Sequence, residues 1–319
     1  MKHVPLTDLR LYTQGSANEK REFINIFGKA IQEFGFVKIE GHEISHSLID
    51  ICYDNFKKLF SLSSAEKVKY VEPEGLGRRG YVQFGLEHAK NNNKGDLKEF
   101  WHVGRENFEN KDLELLSAKN IWPNNHFPKF KKDILNLYSS LDHMALTLLT
   151  AMSEYLGIPK NTLSNMAKDG NTVLRALHYP PLSDDQFKSG SIRAAAHEDI
   201  NLMTILCEAT EGGLEILTRQ GEWLEIQSEK GQMVVDSGDM LSRITNEIIP
   251  ATTHRVINPK GAKNVSRYSM PFFVHAYENC ELKLLENCIS PSHYAKFPPI
   301  LANEFLLQRL KENGLGKKL

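Results

Sequence analysis

Charge of one sign is the first thing the 319-residue sequence lacks: 39 Lys and Arg stand against 40 Asp and Glu, a formal net charge of -1. With no global field, neither nucleic acid nor an anionic membrane is an expected partner, and a small molecule or peptide fits better. Long hydrophobic runs are missing too. No stretch approaches the ~20 apolar residues of a membrane span, and the N-terminal MKHVPLTDLRLY has no apolar core followed by small residues. Cysteine is sparse: Cys52, Cys207, Cys280 and Cys288 form no C-x-x-C pair and cannot make a disulfide framework in a chain this long. These absences point to a reduced, cytoplasmic setting with no membrane association. There is no internal repeat and no low-complexity segment, and a monomer is the default expectation.

The N-terminal third reads as helical. Ser16 and Glu19 have capping-box spacing ahead of Phe23, Ile26, Phe27, Ala30, Ile31 and Phe34, and Gly35 closes that helix. A short strand, FVKIEG, follows from Phe36 to Gly41. A second amphipathic helix then carries Leu48, Ile51, Cys52, Phe56 and Leu59, and Ser63 with Glu66 suggests another capping box. From Val71 to about Asn125 the pattern becomes irregular, including GLGRRGY at 75–81 and NNNKGD at 91–96. Long loops of this kind often serve as lids. After Pro128 a long helix resumes, with Phe130, Ile134, Leu137, Leu141, Leu148, Met152 and Tyr155 on one face, and ends near Gly157.

From Val173 the period shortens to strand-like runs: VLRALHY, SIRAAAH, LMTILCEA, GLEIL, EWLEI, MVVDSG, TTHRVI and RYSMPFFVHAY. About eight short strands suggest a double-sheet jelly roll rather than a parallel sheet with crossover helices. The expected fold is α+β, a double-stranded β-helix (jelly roll) braced by N-terminal and flanking helices, with a closing helix over Asn303 to Leu310. Residues 1–125 form the helical and irregular part and 126–319 the jelly-roll core, packed together as one unit.

Two residues apart in AAAHEDINL, His197 and Asp199 would share one face of a strand end. His254, in ATTHRVINP, lies 55 residues beyond Asp199, enough for a sheet to run out and return. Two imidazoles and one carboxylate leave the opposite face of a metal open, as iron needs to bind a co-substrate and oxygen together. The plain alternative makes His197 a buried polar residue, Asp199 a turn former and His254 a sheet residue, and H-x-D by itself is a weak signal. Arg267 and Ser269 follow His254 on the last expected strand and would line the same face. A guanidinium beside a hydroxyl can grip a carboxylate with charge-assisted bonds, though taken alone R-x-S reads better as part of a surface strand. Tyr179, ahead of Pro180-Pro181, could donate to an acid beside the metal or be a core tyrosine.

These residues resemble the isopenicillin N synthase-like family of iron(II)- and 2-oxoglutarate-dependent oxygenases over nearly the whole chain. The N-terminal part is similar in VPLTDL, EFGFVKIEGHEI, LFSLSSAEK, RRGYVQFGLE and GDLKEFW. The C-terminal half is similar in HYPP, HEDINLMTIL, GGLEIL, WLEI, SGDMLSRITN, THRVINP and RYSMPFF. The resemblance implies that His197, Asp199 and His254 ligate Fe(II), and that Arg267 and Ser269, assisted by Tyr179, bind the distal carboxylate of 2-oxoglutarate. It further implies that O2 and the keto acid are consumed, succinate and carbon dioxide are released, and a small molecule is oxidised. Two departures stand out: Leu177 occupies a position where many plant relatives carry Asn, and Glu198 one where Thr is frequent.

The resemblance also places Arg78 to Tyr81 near the pocket mouth, making Arg79 and Tyr81 candidate substrate contacts and favouring a carboxylate-bearing substrate. A solvated basic turn is the alternative. His178, turned away by alternation, and His42 read as structural, Asp239 as a turn organiser, and Trp223 and Phe272 as core aromatics. Within the family, oxidases that use no 2-oxoglutarate, of the isopenicillin N synthase or aminocyclopropane-carboxylate oxidase type, and an ethylene- and succinate-forming branch compete with the main reading. Outside it, a catalytically silent metal-binding sensor does.

Overall fold

The computed structural model describes residues 3–73, 77–86, 96–183, 193–258 and 264–312. Residues 75–76 of the GLGRRGY loop, 91–95 of the NNNKGD run and 191–192 of SIRAAAH lie outside these. The Ala17–Phe34 helix opens on the expected capping box: Ser16 Oγ accepts from the Glu19 amide, and Glu19 Oε2 accepts from the Ser16 amide at 2.7 Å. It ends where Gly35 turns left-handed at φ 68°. The His46–Phe60 helix buries Cys52, Phe56 and Leu59 but leaves Ile51 47% exposed, because one step of 100° from Cys52 carries it off the apolar face. Ser63 forms only half of its box, accepting from the Glu66 amide at 3.2 Å, and the helix it starts is a single turn, Ser64–Lys67. The Phe130–Tyr155 helix packs against both longer helices and braces the main sheet.

Thirteen of the described strands build the two main sheets. They are β1 (Leu6–Asp8), β2 (Phe36–Glu40), β3 (Gly80–Val82), β4 (Glu99–Gly104), β5 (Val173–Tyr179), β6 (Ala194–His197) and β7 (Met203–Leu206). β8 (Leu214–Leu217), β9 (Trp223–Glu225), β10 (Met233–Ser237), β11 (His254–Val256), β12 (Arg267–Ser269) and β13 (Pro271–Val274) follow. The larger sheet runs β1-β2-β10-β7-β13-β5-β4-β3, with β12 also paired to β5; the smaller runs β6-β11-β8-β9. The result is the expected α+β jelly roll with helices on one side. The region from Val71 to Asn125 is less irregular than its sequence suggests, holding β3, β4 and a short helix, Lys111–Leu116. β4 escaped notice because EFWHVG is buried on both faces and so shows no alternation. RYSMPFFVHAY divides at Met270 into β12 and β13.

Alternation along the central strands separates two apolar layers. Leu174 and Ala176 of β5, Met203 and Ile205 of β7 and Val235 of β10 face the helices. Leu177 and Tyr179 of β5 and Val234 of β10 face the small sheet, where they meet Leu214, Ile216 and Val256. The site occupies this inter-sheet space. Phe272 is fully buried as expected, whereas Trp223 is half-buried on edge strand β9, where its ring carries the Arg255 guanidinium at 3.8 Å. Among the described residues no helix is long and apolar enough to cross a membrane.

Gly35 links the helical layer to the small sheet. A Cβ at this position would lie 2.1 Å from Thr252 Oγ1, and the Thr252 carbonyl in turn holds His254. Gly35→Ala is therefore expected to lose about 1–2 kcal/mol from the left-handed backbone alone, plus a further amount as Thr252 yields. Denaturant unfolding measures this, and a wild-type midpoint would refute it.

Candidate metal centre

His197, at the end of β6, sits directly opposite His254 in the antiparallel register with β11. Their rings lie 4.4 Å apart between centroids. Each Nδ1 is engaged by a carbonyl two residues back in its own chain, Ala195 at 2.8 Å and Thr252 at 3.1 Å. An Nδ1 that donates to a carbonyl leaves Nε2 with its lone pair, as a metal-binding imidazole requires. Burial, and then the neighbouring His254, pushes His197 down to about 4, so its ring is neutral at ordinary pH.

Asp199 places Oδ1 3.7 Å from His197 Nε2 and 3.8 Å from His254 Nε2. These spacings are too long for hydrogen bonds and suit atoms that share an ion at about 2.1 Å each. The three donor atoms all lie within 4.8 Å of one another, the one such His/Cys/Asp/Glu cluster among the described residues. The loop carrying Asp199 is tied down by Asp239, whose amide donates to the Asp199 carbonyl at 2.7 Å. Gly238 permits that approach, since a Cβ there would lie 2.3 Å from the Asn201 carbonyl oxygen. Asp239 thus organises a turn, as its sequence suggests, and its carboxylate also pairs with Arg309 of the closing helix Ala302–Glu312 at 2.6 Å.

Two residues behind Asp199 went unnoticed in the sequence. Thr204 donates its hydroxyl to Asp199 Oδ2 and accepts from Asn201 Nδ2 at 2.9 Å. Asp236 lies across from Thr204 in the β7/β10 register. Burial first, and the Asp199 carboxylate second, raise its carboxyl well above the usual range, so it is a neutral acid in the cavity wall. The signal was their position: both lie on the inward face of strands whose neighbours on either side point to the helices. Glu198 turns away from Asp199 and accepts from the Thr253 hydroxyl.

At the other end of the cavity Arg267 is paired in register with Tyr179, and its guanidinium lies over that ring at 5.3 Å. Its Nε donates to the carbonyls of Glu211 (3.0 Å) and Gly212 (3.3 Å), and one terminal nitrogen donates to Ser269 Oγ at 3.3 Å. Arg267 is 2% exposed, and burial lowers its pKa. No described carboxylate forms an ion pair with it. A buried guanidinium without an anion is costly, which fits a site awaiting a carboxylate. Tyr179, Ser269 and Arg267 line one cavity with His197, Asp199 and His254.

Arg79 and Tyr81 do not line it. Arg79 is 2% exposed, with one terminal nitrogen on Asn171 Oδ1 at 3.0 Å and the other on the Arg78 carbonyl at 2.7 Å. The Tyr81 hydroxyl donates to Glu99 Oε2 at 2.5 Å, in a buried group with Lys67 and His178 on the far side of β4 and β5. His178 is turned from the cavity, as alternation requires, and stacks on Tyr268 at 4.6 Å. His42 accepts from the Ile44 amide at 3.1 Å in a local turn.

Residues 4–125 match the N-terminal model of the non-haem dioxygenase in morphine synthesis, and residues 170–276 match the 2OG-Fe(II) oxygenase superfamily. A Caulobacter crescentus structure assigned to the 2OG-Fe(II) oxygenase family is 39% identical, with a TM-score of 0.87 over 98% of this chain and 99% of that one. The chain belongs to the 2OG-Fe(II) oxygenase family. Full-length T7H of Neurospora crassa, solved in complex with alpha-KG, is 25% identical, with a TM-score of 0.84 and coverage of 96% of this chain and 95% of that one. The 2-oxoglutarate-Fe(II) type oxidoreductase hxnY of Emericella nidulans is 26% identical over 97% of this chain and 90% of its own. As a member of the 2OG-Fe(II) oxygenases the protein is a non-haem iron(II) dioxygenase that uses 2-oxoglutarate to oxidise a small molecule.

Proposed function

We propose that His197, Asp199 and His254 hold the iron, that Arg267 and Ser269 with Tyr179 hold the distal carboxylate of 2-oxoglutarate, and that the primary substrate is a carboxylate-bearing small molecule. The observation that carries this assignment is the shared cavity. Three metal-competent donor atoms lie at one end, and a buried arginine lacking a described carboxylate partner lies at the other. Iron(II), when bound, supplies reductive activation of dioxygen coupled to decarboxylation of the keto acid. The chain's own part is positional. Ala195 and Thr252 fix the imidazoles, Thr204 fixes the Asp199 carboxylate, and Leu177, Leu214 and Val256 exclude water from the reacting centre. Leu177 offers the co-substrate no polar contact, leaving that task to Tyr179, Arg267 and Ser269.

The test is anaerobic addition of iron(II) and 2-oxoglutarate, watching for the weak visible charge-transfer band of the chelate, followed by oxygen and a succinate assay. Band and succinate together are the expected result; absence of both sinks the assignment. Because Thr204 orients a ligand, Thr204→Val is expected to weaken iron(II) binding roughly 10–100-fold, read by ferrous titration under argon. An unchanged affinity would remove Thr204 from this role.

Arg79 is buried away from the cavity and is not the anchor for that carboxylate. The 125/126 division is one of character rather than of folding unit, a reading supported by the pairing of β2 with β10 and of β4 with β5. A reduced cytoplasmic setting is supported by four buried, unbridged cysteines.

A further inference from the structure

Arg267 has a second buried guanidinium in its neighbourhood. Arg193 immediately precedes Ala194, a wall residue of the cavity on β6, and is 4% exposed. Its amide donates to the Val256 carbonyl at 3.0 Å, which ties it to β11 of the small sheet. The side chain reaches toward the other sheet: Nη2 donates at 3.0 Å to the carbonyl of Val265, two residues ahead of Arg267. Nε donates to Asn258 Oδ1 at 2.6 Å, and Nη1 is buried with no hydrogen-bond partner.

These contacts account for the shape of Arg193 but not for its charge. Both acceptors are neutral oxygens, which an uncharged donor would satisfy as well, and no described carboxylate forms an ion pair with it. Arg267 stands in the same position, its bonds going to two carbonyls and a hydroxyl. Tyr179 and Glu211 act electrostatically on both guanidiniums, so the two share one surrounding. Burial first lowers the pKa of each, and the Arg267 charge is the next cause at Arg193. Two like charges buried together without an anion are unfavourable. One carboxylate seated at Arg267 would offset both the missing counter-charge and the repulsion.

We infer that Arg193 is a positioning residue for the co-substrate: it braces the chain leading into β12 through Val265 and supplies a second positive charge that draws the distal carboxylate of 2-oxoglutarate to Arg267. This rests on the Arg267 site proposed above. Arg193 and His197 bracket β6, so the Val265 bond also sets the spacing between the metal ligands and Arg267, the two ends that one keto acid must span.

The test is calorimetric titration of the iron(II)-loaded, full-length protein under argon with 2-oxoglutarate and with 2-oxopentanoate, the same five-carbon chain ending in a methyl group instead of the distal carboxylate. Arg193→Gln is expected to bind 2-oxoglutarate roughly fivefold to thirtyfold more weakly, the effect of one unit charge near a buried anion. Its 2-oxopentanoate affinity should stay within about twofold. Arg193→Lys keeps the charge but not the fork and should recover most of the loss, a rescue that a purely structural brace would not show. Asn258→Asp offsets the Arg193 charge with Arg193 still in place and should also weaken 2-oxoglutarate; it decides the matter if Arg193→Gln does not fold. Unchanged 2-oxoglutarate affinity in Arg193→Gln or, failing that variant, in Asn258→Asp would overturn the inference. So would equal losses for both keto acids, or an Arg193→Lys protein no better than Arg193→Gln. If 2-oxopentanoate binds too weakly to titrate, the contrast between those two variants on 2-oxoglutarate carries the test alone. Failure of the unaltered protein to bind 2-oxoglutarate would instead count against the Arg267 site.

Discussion

Asp199→Ala is expected to abolish both iron(II) retention and succinate formation. Asp199 is the sole anionic member of the cluster, and its Oδ1 faces both imidazoles at 3.7 and 3.8 Å. Without it, two neutral rings must hold a dication alone. Losing a group that merely orients a ligand costs roughly 10–100-fold in metal affinity, so losing the ligand itself should cost more. Asp199→Asn separates charge from shape, because the amide oxygen can still accept from Thr204; it too should lose iron. The apo fold should suffer little, since Asp199 is one of the charges that holds Asp236 protonated, and removing it relieves that tension. Iron analysis after gel filtration with a denaturant melt checks both halves, and wild-type iron content in Asp199→Ala would dismiss the assignment.

Arg267→Gln should leave iron binding intact and weaken 2-oxoglutarate by roughly 30-fold to several thousandfold, the range for truncating one partner of a buried charged pair. The magnitude follows from burial: Arg267 is 2% exposed, and no described carboxylate competes for it. Glutamine keeps one donor but not the bidentate fork. The kinetic signature is a raised KM for 2-oxoglutarate, with kcat falling less. Tyr179→Phe should produce a smaller shift of the same kind, since Ser269 and the guanidinium remain. An Arg267→Gln enzyme with an unchanged KM would move the co-substrate's distal carboxylate elsewhere.

The candidate metal cluster was legible because its two histidines obey strand rules and Asp199 follows directly off the end of β6. His197 and Asp199 sit two apart, and His254 returns opposite His197 in the neighbouring strand. Arg267 and Ser269 were legible for the same reason, through alternation on β12. Thr204 and Asp236 obey that alternation too, yet each sits in a run whose apolar neighbours dominate: MTIL and MVVDS. A polar residue inward on a doubly buried strand is conspicuous only once both faces are known. Arg79 shows the opposite error. The family resemblance placed that loop at the pocket mouth, but Arg79 folds inward against Gly104, where a Cβ would lie 2.2 Å from its guanidinium. Sequence proximity to the pocket entrance did not set the side chain's direction.

The order of the large sheet has a consequence for cutting the chain. Its four central strands, β10, β7, β13 and β5, come from the C-terminal half, while β1 and β2 flank one side and β4 and β3 the other. A fragment beginning at residue 126 would therefore present two raw edges, β10 and β5, each with a row of unpaired amides and carbonyls. It would also lack two residues of the cavity wall, Phe36 and Lys98. Such a fragment should self-associate rather than fold to a working core, and recover only when the missing segment is supplied in trans.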